Sequence, residues 1–156
     1  MTRFAIDTCS LIALYYSGYL GKTIKALNLA ITNKIHYELE EMGKYSDDDG
    51  SAALEVLTFL TKIKILETQP KSTGEEELIE IAIKHECDFI VSDDIRAISV
   101  LKRAGIPQIF STHLLYYLYK KGKVSKEEGL IALEKMRNRR PWKNNLIYIA
   151  GIQLFK

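Results

Sequence analysis

The sequence predicts an α/β fold, a three-layer α/β/α sandwich around a mostly parallel central sheet. Three observations carry that reading. Short apolar runs alternate with amphipathic helical stretches along the whole chain, the order expected of a parallel sheet covered by helices on both faces. Two of those runs, Phe4-Ala5-Ile6 and Phe89-Ile90-Val91-Ser92, lead directly into acid, at Asp7 and at Asp93-Asp94. No apolar run approaches the roughly 18 residues of a membrane span, and no basic-then-apolar leader is visible. A chain of 156 residues fits one domain over 1–156 with a substantial core.

A strand is expected over about 3–7, followed by helical text through Tyr15. Gly18 and Gly21 break that pattern before a second helix from Lys22 to about Asn28. Leu29 to Thr32 reads as a short buried strand, and 33–42 as a helix with Ile35, Leu39 and Met42 on one face. Residues 43–50, with Asp47-Asp48-Asp49, read as a loop, and helix returns over 52–60. Residues 63–66 read as a strand ended by Gln69-Pro70-Lys71, and 75–85 as a helix with Leu78, Ile79, Ala82 and Ile83 on its apolar face. Residues 88–92 are strand and 95–103 helix, closed by Gly105 and Pro107; 108–110 form a last short strand. Residues 113–121 are helix to Gly122, and Ser125 with Glu128 opens another through a capping box. The apolar tail 146–155 fits no single element by pattern.

Strand ends in open α/β sheets face the crevice where ligands bind, so the two acid-ended strands predict an acidic pocket suited to a hard divalent cation. Four acidic positions converge in that reading: Asp7, Glu38 in the helix after the second strand, Glu75 at the start of a later helix, and the Asp93-Asp94 pair. Oxygen ligands from separate elements suit Mg²⁺ or Mn²⁺. Structural roles stay open beside this. Ser72 with Glu75 and Thr73 with Glu76 have capping-box spacing, Asp93 or Asp94 fits a helix N-cap, and Glu40 and Glu41 read as solvated surface. Asp7, between an apolar strand and an apolar helix, requires a partner if buried.

Other chemistries are poorly served. Asp7-Thr8-Cys9 lacks the second Asp of a haloacid-dehalogenase nucleophile loop, and no Walker or dinucleotide Gly-rich loop occurs. His36, His85 and His113 are scattered without zinc-site spacing and read as structural or surface residues. Cys9 and Cys87 are too few for a disulfide framework; they read as small core residues of a cytoplasmic protein. The helix holding Tyr116, Tyr117 and Tyr119 reads as packing or a dimer face.

Charge is uneven. From Lys120 to Lys143 nine Lys or Arg face three Glu, a balance of +6; with an overall charge of +2 the remainder stands at −4. The run Arg137, Arg139, Arg140, Trp142 and Lys143 contains the chain's one tryptophan. It reads either as a phosphate-backbone footprint with Trp142 as a stacking surface, or as a solvated helix face and basic loop.

With these residues in order, the chain resembles the PIN-domain family. Asp7-Thr8-Cys9-Ser10-Leu11-Ile12 is similar to its opening motif, the stretch from Ile31 to Leu39 to its Glu-bearing second motif, and Ser92-Asp93-Asp94 to its closing motif. Gly74-Glu75-Glu76-Glu77 is similar to the Gly-Glu-x-Glu signature of one branch of VapC-like toxin ribonucleases. The resemblance covers roughly residues 3–135. It implies a metal-dependent endoribonuclease that hydrolyses RNA phosphodiester bonds, often the toxin of a toxin–antitoxin pair, usually a homodimer held by an antitoxin protein. Carried over, it nominates Asp7, Glu38, Glu75 and Asp94 as catalytic metal ligands, with Asp93 as neighbour. Thr8 or Ser10 is expected to orient a ligand or a phosphate. Glu77 is an alternative to Glu75, but the two stand about 200° apart round a helix and cannot share one site. The alternative is a non-catalytic PIN-like module that binds RNA or protein.

Overall fold

A computed structural model describes residues 1–69, 74–84 and 86–156, the side chains of Gly74 and Glu75 excepted. Five parallel strands, β1 (Arg3–Ile6), β2 (Asn28–Thr32), β3 (Lys64–Leu66), β4 (Phe89–Val91) and β5 (Gln108–Ile109), lie in the order β3-β2-β1-β4-β5. Nine α-helices are found among the described residues. They are α1 (Thr8–Ser17), α2 (Leu20–Ala26), α3 (Asn33–Met42), α4 (Asp48–Phe59), α5 (Gly74–Ile83), α6 (Ile95–Arg103), α7 (Ser111–Lys120), α8 (Lys126–Arg139) and α9 (Leu146–Leu154). The α/β sandwich is therefore as the alternation predicts. No described helix is long and apolar enough to cross a membrane.

The central strands are buried on both faces, which is why their sequences run as unbroken apolar text. Phe4, Ala5 and Ile6 of β1, Leu29 to Ile31 of β2, and Ile90 and Val91 of β4 all belong to one core, which Leu11, Ile12 and Leu14 of α1 join from one layer. The chain moves from β1 outward to β2 and β3, then returns across β1 to β4 and β5. Strand order thus reverses between β1 and β4, and a crevice opens above their C-terminal ends.

Capping residues set the helix starts. Asp7 caps α1, its Oδ1 accepting from Ser10 N at 2.9 Å, and Thr32 caps α3 through Ile35 N. Three expectations need correction here. The Asp-rich segment is not all loop: Asp47 caps α4, accepting from Gly50 N at 2.7 Å, and Asp48 and Asp49 sit in its first turn, where the helix dipole favours acid. Only glycine fits at position 50, since a Cβ there would lie 2.1 Å from the Tyr45 carbonyl oxygen. Gly21 lies inside α2 rather than before it, and Asn28 belongs to β2. Ser125 caps α8 as expected, but the Glu128 carboxylate accepts from Tyr19 Oη at 3.3 Å instead of completing a capping box. The cap readings at Ser72, Thr73 and Glu75 lie outside the described residues, as does His85.

The ambiguous tail is α9. It packs against α7 and α8, and Phe155 meets Tyr116 and Tyr119 with ring centroids 5.8 and 5.5 Å apart. The tyrosines of α7 thus serve intramolecular packing.

Candidate functional site

β1 and β4 are in register with Ile6 beside Val91, and Asp7 N donates to the Val91 carbonyl at 3.1 Å. That pairing brings Asp7 and Asp93 to the mouth of the switch-point crevice. Asp7 is half-buried; burial foremost, with a contribution from the Asp94 charge, holds its pKa above the usual carboxylate range. Ser10 is fully buried, and its hydroxyl has no hydrogen-bond partner among the described residues. Outside hydrogen-bond geometry, it still lies close enough to the carboxylate to oppose the rise, as the Ser92 hydroxyl also does.

Asp93 is only 8% exposed. Its Oδ1 accepts from Ser111 N at 2.8 Å and its Oδ2 from Ser111 Oγ at 2.6 Å, so it caps α7 from another strand. Burial first, and then the charge of Asp7, push its pKa up to about 7. Asp94 takes the N-cap role foreseen as one option, accepting from Arg96 N at 3.0 Å. The Arg96 guanidinium folds over the same carboxylate at 3.1 and 3.2 Å. Asp93 and Asp94 thus both line the crevice, and each caps the start of a helix.

Glu38 reaches the same region from α3. Thr8 Oγ1 donates to Glu38 Oε2 at 2.6 Å, which ties the start of α1 to the second acidic motif. Thr8 therefore orients a carboxylate, one of the roles its position suggests. The Glu75 side chain lies outside the described residues. Glu77 is buried and accepts from Thr68 Oγ1, a hydroxyl that also contacts Asn33 Oδ1 at 3.0 Å. Among the described residues no three His, Cys, Asp or Glu side chains form a ready-made cation cage. Cys9 departs from its expected core role. It is exposed at the start of α1, yet desolvation and then the Asp7 charge push its thiol up to about 11.

The basic run is not a free footprint. Arg137 pairs with Glu134 at 2.8 Å and covers the Tyr148 ring; Arg139 lies over the Tyr16 ring at 4.6 Å with Asp48 at 3.7 Å. The Arg140 side chain is 10% exposed, and its Nη1 donates to both Asp49 oxygens at 3.2 Å, so much of its charge is met within the chain. Opposite charge explains the arrangement, because the Asp-rich start of α4 is neutralised by the Arg-rich end of α8. Tyr16 Oη adds a 2.8 Å bond to Asp49. Sequence reasoning missed Asp49 as the partner of Arg140 and Ser111 as the partner of Asp93; the acidic and basic runs were the visible signal for the first. The consequence is positional. The next residues, Pro141, Trp142 and Lys143, are delivered to the crevice and line a cleft of about 380 Å³ with Asp93, Asp94, Ile95, Arg96 and Ile147.

A family model described as DUF3368, PIN domain, matches residues 3–156. The chain belongs to the PIN-domain family. PIN domains are in general nuclease folds. Among solved structures, this PIN domain is similar to "a domain of a functionally unknown protein" from Methanocaldococcus jannaschii DSM 2661. That match has a TM-score of 0.53 and 17% identity, and covers 70% of this chain and 91% of the other. At that identity it speaks to the fold alone. No curated protein matches the chain.

Proposed function

We propose that this PIN domain is a divalent-metal-dependent endoribonuclease hydrolysing RNA phosphodiester bonds. The observation that carries the reading is the meeting of Asp7, Asp93 and Asp94 at the switch point, where, beyond burial, the Asp94 charge adds to the rise at Asp7 and the Asp7 charge to the rise at Asp93. Each of the three caps a helix, yet gathering them at one edge carries a cost, since like charges shielded from water repel. The donor chemistry fits a hard cation: Asp7, Glu38, Glu75 and Asp94, with Asp93 beside them, offer oxygen and no soft ligand among the proposed set. Bound there, Mg²⁺ or Mn²⁺ supplies activated water and stabilises charge on the phosphoryl oxygens.

The chain's own groups prepare the site. The Ser10 amide fixes one Asp7 oxygen and so sets the plane of the carboxylate. Thr8 holds one Glu38 oxygen and so sets the direction of the second. Ser111 fixes the rotamer of Asp93, and Arg96 balances part of the Asp94 charge. Such preorganisation lowers the cost of gathering acid before a phosphate arrives. Within the family reading, the chain acts as a toxin restrained by an antitoxin protein, and works as a homodimer.

The second reading, a non-catalytic RNA- or protein-binding PIN module, is favoured by one observation: the described acids do not form a cation cage by themselves. Purified protein incubated with an RNA pool in Mn²⁺, then with EDTA, then as Asp7→Asn, separates the two. Cleavage that needs the metal and is lost in the variant is expected. Activity in EDTA, or full activity of Asp7→Asn, refutes the nuclease assignment, and no cleavage of any RNA supports the binding module.

A further inference from the structure

The cleft beside the acids has a composition that the acid chemistry does not require. One wall is the start of α6 with Asp94, Ile95 and Arg96; the other is Pro141, Trp142 and Lys143, with Ile147 of α9 also in the lining. At about 380 Å³ it falls in the range of small-ligand sites. An indole and two isoleucines make an apolar slot, and exposed Lys143 puts a cation at its mouth. A flat π-face next to a cation, opening on a site for phosphate chemistry, matches one nucleotide: base on the aromatic ring, phosphate on the ammonium.

The backbone holds this wall in place at a cost. Asn144 and Asn145 follow directly with φ of 53° and 54°, two consecutive non-glycine residues in the left-handed region. Asparagine tolerates that region better than most residues, but a pair is unusual, and such strain persists only where surrounding contacts over-determine it. Here the contacts are identifiable. The Trp142 carbonyl accepts from Asn145 N at 3.2 Å, Trp142 packs on the core, and Arg140 is pinned by Asp49 two residues earlier. The double turn lets α9 begin at once and places Ile147 in the cleft. A turn serving only to connect α8 to α9 needs no half-exposed tryptophan.

We propose that this cleft is a nucleobase subsite: Trp142 stacks a base of the RNA strand next to the phosphodiester at the acids, and Lys143 contacts a flanking phosphate. This rests on the nuclease reading for the identity of the strand, and the test separates the two. Trp142 is the chain's one tryptophan, so indole fluorescence excited beyond the absorption of the tyrosines reports this cleft. In EDTA at low salt, 5′-AMP and a short single-stranded RNA are expected to quench it saturably, and ribose 5-phosphate to leave it unchanged. By RNA anisotropy, Trp142→Ala weakens binding about tenfold or more. Trp142→Phe, which keeps a ring and guards against a folding defect in the alanine variant, retains most of the affinity. Lys143→Gln reduces the salt slope of RNA binding by about 0.7. In Mn²⁺, Trp142→Ala raises KM for RNA cleavage and leaves kcat close to the parent value.

Absence of quenching by both AMP and RNA overturns the subsite, and so does equal RNA affinity of Trp142→Ala and the parent. Cleavage of RNA without quenching removes the subsite while the nuclease assignment stands. Quenching and Trp142-dependent binding without cleavage in Mn²⁺ leave the subsite standing and remove the nuclease assignment.

Discussion

Replacing Asp93 by Asn isolates the electrostatic cost of the crevice. The amide keeps both contacts that cap α7: its oxygen accepts from Ser111 N, now 2.8 Å from Oδ1, and its NH₂ donates to Ser111 Oγ, now 2.6 Å from Oδ2. What disappears is a buried charge. In the parent, the Asp93 carboxyl rises from 3.8 to about 7 on folding. Between those values the folded chain holds a proton that the unfolded chain has released. Stability is therefore fully present below about pH 4, falls as pH rises, and levels off above about 7. At about 1.36 kcal/mol per pH unit, that window corresponds to roughly 4 kcal/mol. Urea unfolding in EDTA from pH 4.5 to 8 is expected to show Asp93→Asn more stable than the parent at pH 8 by a few kcal/mol. The two curves converge toward pH 4.5. Mn²⁺ is expected to stabilise the parent more than the variant, because a cation that binds only the folded chain shifts its unfolding. Parallel stability–pH curves for the two proteins refute the argument that Asp93 is an acid confined against its neighbours.

Two further outcomes follow from single contacts. With its pKa at about 11 instead of 9.0, Cys9 is expected to react with iodoacetamide at pH 8 roughly tenfold more slowly than in the urea-unfolded chain. That factor sets about 100-fold less thiolate against its greater nucleophilicity, and peptide mass spectrometry reads it; a rate equal to the unfolded one contradicts it. Gly151→Ala places a Cβ 2.8 Å from Thr112 Cβ and 3.1 Å from Leu133 Cδ2, where α9 crosses α7 and α8. Overpacking there outweighs the gain in helix propensity by about 1 kcal/mol, and thermal unfolding is expected a few degrees lower. A raised Tm shows that α9 yields at this crossing.

Much of the site was legible because its signals are local. Asp7 and Asp93-Asp94 each end an apolar run, and the alternation of runs requires those ends to share one edge of a parallel sheet. The helix over 33–42 matches α3 at both ends, so Glu38 is carried to that edge. The Asp47-Asp48-Asp49 segment was misread for a physical reason: acid in a first helical turn has the composition of a loop, and only the Gly50 amide donating to the Asp47 carboxylate distinguishes them. Cys9 was misread because small apolar character says nothing of which side of α1 faces the crevice.

Thus the chain by itself determined the layered fold, the parallel sheet and the acidic edge, since burial on two faces and strand-end chemistry are written in neighbouring residues. Tertiary structure alone decided which charges are spent internally. Arg140 and Asp49 stand 91 residues apart, and no local pattern shows that each satisfies the other. That pair takes Arg140 largely out of solvent and sets Trp142 in the same cleft as Asp94, because a desolvated guanidinium must find a carboxylate and the chain that follows it has to go where the pair is made.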